Sequence, residues 1–287
     1  MIMTLALLRR AALATLLMLL PLQAVKADER AQTERTPTIV LVHGAFMDAR
    51  TWEAVERELS GKGFRTIAVN LPGRTDTADS DPEAKLATYR DAVLDAIVDE
   101  TGPVLLVGHS FGGITISSVA EAAPDRIAAL VYLAAYLPTN GQSLQMLAGA
   151  DRDSRTGEAF VVDAARGVAS IAPALRGPLF CNDCDPATAN ATADLMVDEP
   201  LAPLGQPALL GERFASVPRY YIRTGRDRVI SPAQQDRMIA ATPVVAVLDL
   251  DSGHSPMLSR PGDLARVLAR LAQATGRATD ITQPSRR

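Results

Sequence analysis

Residues 104–123 read Val-Leu-Leu-Val-Gly-His-Ser-Phe-Gly-Gly-Ile-Thr-Ile-Ser-Ser-Val-Ala-Glu-Ala-Ala, and this stretch decides the fold. Four apolar residues, Val104 to Val107, lead into Gly108-His109-Ser110-Phe111-Gly112 and then into the helix-like run Gly113 to Ala123. An apolar run without polar alternation reads as a strand buried on both faces. Joined directly to a helix, G-x-S-x-G forces its serine into a cramped corner with the hydroxyl standing above the sheet. The flanking glycines leave room for the neighbouring strand and helix. Chance produces the pattern in about one chain in ten of this size, so the strand before it and the helix after it carry the reading. Ser110 is a candidate nucleophile, and an ordinary tight turn is the competing reading.

Working outward, Thr38 to Val42 is a second continuous apolar strand, Trp52 to Leu59 a helix, and Thr66 to Leu71 a strand. Asp81 to Glu100 has helical spacing through Leu86, Tyr89, Val93, Ile97 and Val98. Ile127 to Ala134 is a strand, stopped at Leu137-Pro138. The alternation resumes with a strand at Tyr220–Thr224, a helix at Pro232–Ala241, a strand at Val244–Leu250 and a closing helix at Pro261–Ala274. Six strands alternating with helices predict an α/β fold, a mainly parallel sheet with helices on both faces. Residues 140–214 break the rhythm and read as a cap inserted over the carboxyl ends of the strands, where open α/β sheets bind ligands.

The two ends read differently. Arg9-Arg10 precede an apolar stretch, Ala11 to Leu22, too short to span a bilayer stably, and Val25-Lys26-Ala27 offers small residues for a signal peptidase. Residues 1–27 are therefore expected to be a cleavable signal peptide, giving a periplasmic or secreted protein; an uncleaved membrane anchor is the alternative. Residues 28–37 read as a flexible leader and 275–287 as a disordered tail. About 260 residues remain after cleavage, enough for one domain, 38–274, with the cap inserted. Loss of Arg9, Arg10 and Lys26 moves the formal charge from −4 to −7. An acidic protein without a Lys/Arg run is no nucleic-acid binder, and after cleavage no membrane partner is expected. The two cysteines, Cys181 and Cys184, could close a small disulfide loop in an oxidising compartment; free thiols and redox chemistry are the other readings.

A serine hydroxyl needs a base to act as a nucleophile at neutral pH, almost always histidine. Three histidines are present. His109 adjoins Ser110 on the strained corner and should project away from it, whereas His43 ends the first strand and shapes a loop. His254, in Ser252-Gly253-His254-Ser255-Pro256 after the last strand, is the candidate base. The carboxylate that orients it is expected on the loop after the penultimate strand, where Thr224-Gly225-Arg226-Asp227 offers Asp227. Asp249 and Asp251 are rivals that would have to bend back, and the loop after Ile127–Ala134 offers Ala135-Tyr136 and no carboxylate. Two backbone N–H groups should meet the oxyanion: that of Phe111, after the nucleophile, and that of Ala45 after the first strand, with Phe46 the second choice.

Together these stretches resemble the α/β-hydrolase superfamily, with its chain order of serine, acid, histidine. The chain looks like the compact group that holds plant methylesterases, bacterial carboxylesterases and related hydroxynitrile lyases. The stretches that carry the resemblance are Leu41-Val42-His43-Gly44-Ala45-Phe46 with Trp52, Leu71-Pro72-Gly73, Val107 to Gly113, and Ser252 to Leu258; it spans about 38–274. The resemblance implies ester hydrolysis through an acyl-enzyme on Ser110, cleared by a water that His254 activates, with no metal or organic cofactor. Gly44 stands where the lyases typically carry Thr or Asn, and Ser255 where a subset has lysine; both favour ester hydrolysis. The first two strands of the full-sized fold are missing, as in compact members. Cys184, in Phe-x-x-Asp-Cys, resembles bacterial members, whereas Cys181 looks like an addition.

The expected function is hydrolysis of a small or medium carboxylic ester. Lyase or cofactor-free peroxidase-like chemistry in the same site, and a non-catalytic ligand-binding role, are the alternatives. The cap offers Phe160, Phe180, Leu204 and Leu210 as candidate pocket walls, each equally readable as core.

Overall fold

In the computed structural model, residues 36–73 and 84–282 are described, with side chains through 276. The expected signal segment 1–27 lies outside the described residues, as do most of the leader 28–37 and the last five residues. Strands β1 (Ile39–Val42), β2 (Thr66–Val69), β3 (Val104–His109) and β4 (Ile127–Leu133) come before the cap. Within the cap lie β5 (Phe160–Asp163), β6 (Val168–Ile171) and β7 (Glu199–Pro200), and after it β8 (Arg219–Thr224) and β9 (Ala246–Leu250). Six of these form one sheet in the order β2-β1-β3-β4-β8-β9, with every neighbouring pair parallel.

The helices are α1 (Glu53–Ser60), α2 (Leu86–Ala96), α3 (Gly112–Ala122), α4 (Leu144–Gly149), α5 (Pro173–Phe180), α6 (Pro186–Leu195), α7 (Leu201–Gly205), α8 (Glu212–Ser216), α9 (Pro232–Ala241), α10 (Pro256–Ser259) and α11 (Pro261–Thr282). Successive strand residues point to opposite faces, so each central strand feeds two cores. Ile39, Leu41, Leu105, Val107 and Val131 pack with Trp52, Val55 and Leu59 near α1 and with Leu264 and Leu268 of α11. Val40, Val42, Leu106, Leu130 and Tyr132 pack on the other face with Tyr89 and Val93 of α2 and Ile114 of α3. That second core continues into the cap through Leu147, Phe180 and Leu204.

The structure departs from the sequence reading in three places. The cap holds a small antiparallel sheet, β5-β6-β7, whose short strands lack a readable period. Helix α2 is shorter than the 81–100 segment and ends at Ala96, because the Arg126 guanidinium donates to the carbonyls of Ile97 and Glu100 and holds them in a turn. Helix α11 runs to Thr282, so the tail expected to be disordered from 275 is helical through that residue. Its buried face, Leu264, Leu268, Leu271 and Ala272, continues with helical spacing to Thr275, which is buried. The Thr275 hydroxyl donates to the carbonyls of Leu271 at 2.9 Å and Ala272 at 3.1 Å.

Candidate active site

The residues singled out from sequence lie at the carboxyl ends of β1, β3, β8 and β9, along one rim of the sheet. Ser110 stands between β3 and α3 with φ 52°, the left-handed region that a non-glycine residue adopts only under constraint. Its N–H donates to the Leu133 carbonyl (3.2 Å), and its own carbonyl accepts from Gly113 (3.1 Å) and Tyr136 (3.0 Å). Glycine at 108 is required by contact: a Cβ there would lie 2.6 Å from the Gly112 carbonyl oxygen. At Gly44 a Cβ would come within 2.7 Å of the Ser110 Cβ, so the loop after β1 can lie against the serine only without a side chain at that position.

His254 is fully buried in the loop between β9 and α10. Its Nδ1 donates to Asp227 Oδ2 at 2.8 Å. Asp227 is held by further donors: Oδ1 accepts from the N–H groups of Val229 (2.8 Å) and Ile230 (3.0 Å), and Oδ2 accepts from the Thr224 hydroxyl (3.1 Å). Gln235 closes the arrangement, with its amide accepting from Thr224 N–H at 3.0 Å and donating to the Ile230 carbonyl at 2.9 Å. A carboxylate with this many donors keeps one orientation, and so fixes the tautomer that leaves His254 Nε2 as the basic nitrogen. Nε2 is buried and has no protein partner among the described residues, Ser110 included. Ser110, Phe46 and Phe180 line one narrow cavity of about 70 Å³, and the Phe180 ring packs edge-on against His254 at 5.5 Å.

The rival carboxylates are placed elsewhere. Asp249 pairs with Arg223 at 2.6 Å and Asp251 with Arg226 at 2.9 Å, both largely solvent-exposed. His109 turns away from the serine as expected: its Nε2 donates to the His254 carbonyl at 2.9 Å, and the two rings lie 4.6 Å apart. Burial pushes its pKa well below the ordinary value, and the neighbouring His254 and His43 add to the effect, so the ring is neutral. His43 shapes the first loop, accepting from Leu71 N–H at Nε2 (3.1 Å).

The two oxyanion candidates on the first loop differ. Phe46 N–H donates to Glu199 Oε2 at 3.0 Å and is therefore occupied. The N–H groups of Ala45 and Phe111 donate to no protein acceptor among the described residues. Glu199 was not singled out from the sequence. It arrives from β7, is fully buried and also accepts from the Tyr89 hydroxyl at 3.1 Å. Its only sequence signal is an acid beside a proline in a segment without period. Of the four candidate pocket walls, Phe160, Phe180 and Leu204 line the cavity with Ser110, whereas Leu210 is buried in the core. The cavity shares Leu144, Ala148, Thr156, Phe160 and Leu204 with an outer chamber of about 680 Å³ walled by cap residues. Cys181 and Cys184 form a disulfide, with Cα atoms 5.2 Å apart. Among the described residues no group of three or more His, Cys, Asp or Glu side chains is placed to hold a metal ion.

A parallel sheet with serine, carboxylate and imidazole at one rim, in that chain order, defines an α/β hydrolase. Residues 39–267 match the alpha/beta hydrolase family, and the chain belongs to it. Methylesterase 17 of Arabidopsis thaliana is 28% identical over 260 residues, spanning 85% of this chain and 94% of that protein. A pyrethroid hydrolase of Sphingobium wenxiniae is 30% identical over 245 residues, 82% of this chain and 88% of the other. The crystal structure of a pyrethroid hydrolase from Sphingobium faniae is similar with a TM-score of 0.75 at 27% identity, covering 83% of this chain and 98% of that one.

Proposed function

We propose that the chain is a serine hydrolase that cleaves small or medium carboxylic esters through an acyl-enzyme on Ser110. His254 Nε2 takes the Ser110 proton as the oxygen attacks the ester carbonyl. The resulting oxyanion is met by the N–H groups of Ala45 and Phe111. Collapse of this intermediate breaks the bond to the alcohol oxygen, which leaves with the proton from His254. A water then gives its proton to His254 and attacks the acyl carbon, and release of the acid restores Ser110. Asp227 orients the imidazole and stabilises the imidazolium at each stage. The observation that carries this reading is the buried 2.8 Å bond between His254 Nδ1 and Asp227, with Nε2 unclaimed by any other group among the described residues. The names of the relatives, methylesterases and a pyrethroid hydrolase, favour ester substrates.

The test is a panel of chromogenic esters of increasing chain length, run on wild type and Ser110→Ala. The variant is expected to lose at least about a thousandfold in kcat, because only binding and oxyanion contributions survive removal of the nucleophile. Equal rates would rule the mechanism out. Export to the periplasm or medium is part of the same proposal. It is supported by the Cys181–Cys184 disulfide, which persists in oxidising compartments, and is checked by the N-terminal sequence of the mature protein.

A further inference from the structure

Four tyrosines are buried among the described residues, and three of them have hydroxyl partners within the protein. Tyr89 donates to Glu199, Tyr132 shares a 2.7 Å bond with the Ser117 hydroxyl, and Tyr221 donates to the Ala135 carbonyl at 2.7 Å. The fourth, Tyr136, is 6% exposed and lines the narrow cavity with Ser110. Its hydroxyl has no hydrogen-bond partner in the protein among the described residues, yet it is not sealed from solvent. The carboxylates that flank it are already engaged: Asp151 accepts from Ser231 N–H at 2.8 Å and the Ser231 hydroxyl at 2.6 Å, and Asp227 holds His254. Burial, reinforced by the charges of Asp151 and Asp227, pushes the phenol pKa far up, so the group keeps its proton and is a donor.

The rest of the cavity offers little polar competition. Its walls include Phe46, Phe160, Phe180 and Val229. The Thr156 hydroxyl points to the Val229 carbonyl at 3.4 Å and receives the Ser154 hydroxyl at 3.2 Å. Apart from the nucleophile, Tyr136 therefore supplies the one uncommitted donor side chain among the described residues that line this cavity. This hydroxyl reaches solvent in the free protein, and a substrate that displaces that solvent leaves it unpaired unless it brings an acceptor oxygen of its own, so a ligand oxygen that pairs with it gains selectively over a methylene that cannot.

We propose that the Tyr136 hydroxyl is a specificity-determining substrate contact that selects esters carrying a second acceptor oxygen, such as an ether or keto oxygen, close to the scissile group. This rests on the esterase reading above and narrows its substrate class. The added oxygen can lie on the acyl or on the alcohol side, and two isosteric pairs separate these sources. On the acyl side, 4-nitrophenyl butanoate is compared with 4-nitrophenyl methoxyacetate; on the alcohol side, butyl acetate is compared with 2-methoxyethyl acetate. Within each pair an oxygen replaces one methylene, and the intrinsic reactivity difference cancels when the ratio of kcat/KM is compared between wild type and Tyr136→Phe.

The ratio for one pair is expected to fall about fivefold to tenfold in Tyr136→Phe, with the simple alkyl ester changed less than twofold. The thermal midpoint of the variant should equal or exceed that of wild type, since no protein bond is lost. Ratios unchanged within twofold for both pairs would overturn the proposal, as would a fall in thermal midpoint of more than a few degrees, which would assign the hydroxyl to the fold. Ser110→Ala separates the two levels. If hydrolysis persists in that variant, the esterase reading falls and takes this one with it. If hydrolysis requires Ser110 but the ratios stay level, only the role of Tyr136 is lost.

Discussion

Phe46 adopts φ 63°, a left-handed conformation that is costly for a bulky side chain and persists only where the surroundings impose it. The cap imposes it here: Glu199 accepts the Phe46 N–H, and Val197 N–H donates to the Phe46 carbonyl at 3.0 Å. Both backbone groups of Phe46 are thus clamped by one cap segment, and the preceding residue, Ala45, is held with its N–H unclaimed beside Ser110. Glu199 is on this account a positioning residue for the loop proposed to meet the oxyanion. Glu199→Ala orphans the Phe46 N–H, at about 1–3 kcal/mol, and removes an acceptor from the Tyr89 hydroxyl. A fall in thermal midpoint of about 5 °C or more is expected, with kcat reduced about tenfold and KM little changed. Glu199→Gln, which keeps an acceptor oxygen, should recover most of both. Steady-state kinetics with thermal melts check this, and a kcat unaffected in Glu199→Ala would remove the positioning role.

Among the elements, the turn from α5 to α6 has a reach beyond its size. The Cys181–Cys184 disulfide closes a four-residue ring that presents Asn182 and Asp183 to the histidine loop. Asn182 Nδ2 donates to the Arg226 carbonyl at 3.1 Å, one residue before Asp227. The Asp183 side chain, 1% exposed, lies 3.7 Å from Arg226 and 3.9 Å from Arg260. A Cβ at Gly253 would lie 2.7 Å from Asp183 Oδ1, so this ring packs directly against the residue before His254. Closing so short a loop stabilises the folded state by about 2 kcal/mol in the chain-entropy picture. Reduction, or Cys181→Ser with Cys184→Ser, is expected to lower the thermal midpoint by about 4–8 °C. Ester hydrolysis should fall as well, because the loop that carries His254, the proposed base, loses its support. Retained activity after the melt has shifted would confine the disulfide to stability.

Over the whole molecule, the sheet separates two apolar cores, and the neutral, buried His109 lies between the rings of Trp52 and His254. The pKa of His109 is depressed from its ordinary 6.5 in the folded state. Below that value the unfolded chain binds a proton that the folded chain does not, so stability falls as the pH drops through about 6.5 and below. One such group contributes a slope of up to about 1.4 kcal/mol per pH unit. Denaturant midpoints measured from pH 7.5 to 5.0 should therefore decline, and the decline should be shallower in His109→Asn even though that variant starts less stable. Parallel slopes for the two proteins would show that another group titrates.

The local rules acted where neighbours in sequence settle the outcome. The apolar runs fix β1, β3 and β4, and the crowding of Gly108 against Gly112 fixes the serine corner, because strand, turn and helix there are contiguous. Ser110, His254 and Asp227 could be named because the alternation of strands and helices already assigns each to the same edge of a parallel sheet. Glu199 and Tyr136 could not be read that way. What Glu199 does depends on Phe46 and Tyr89, 153 and 110 residues away, and a cap without period gives no register by which to bring them together. Tyr136 was visible only as a position lacking a carboxylate; that it lines the cavity with a hydroxyl unpartnered among the described residues is a fact about the surrounding packing. Short-range sterics and periodicity thus determine the sheet and the rim that gathers Ser110, Asp227 and His254, while only tertiary burial decides which polar groups are left over to face the cavity.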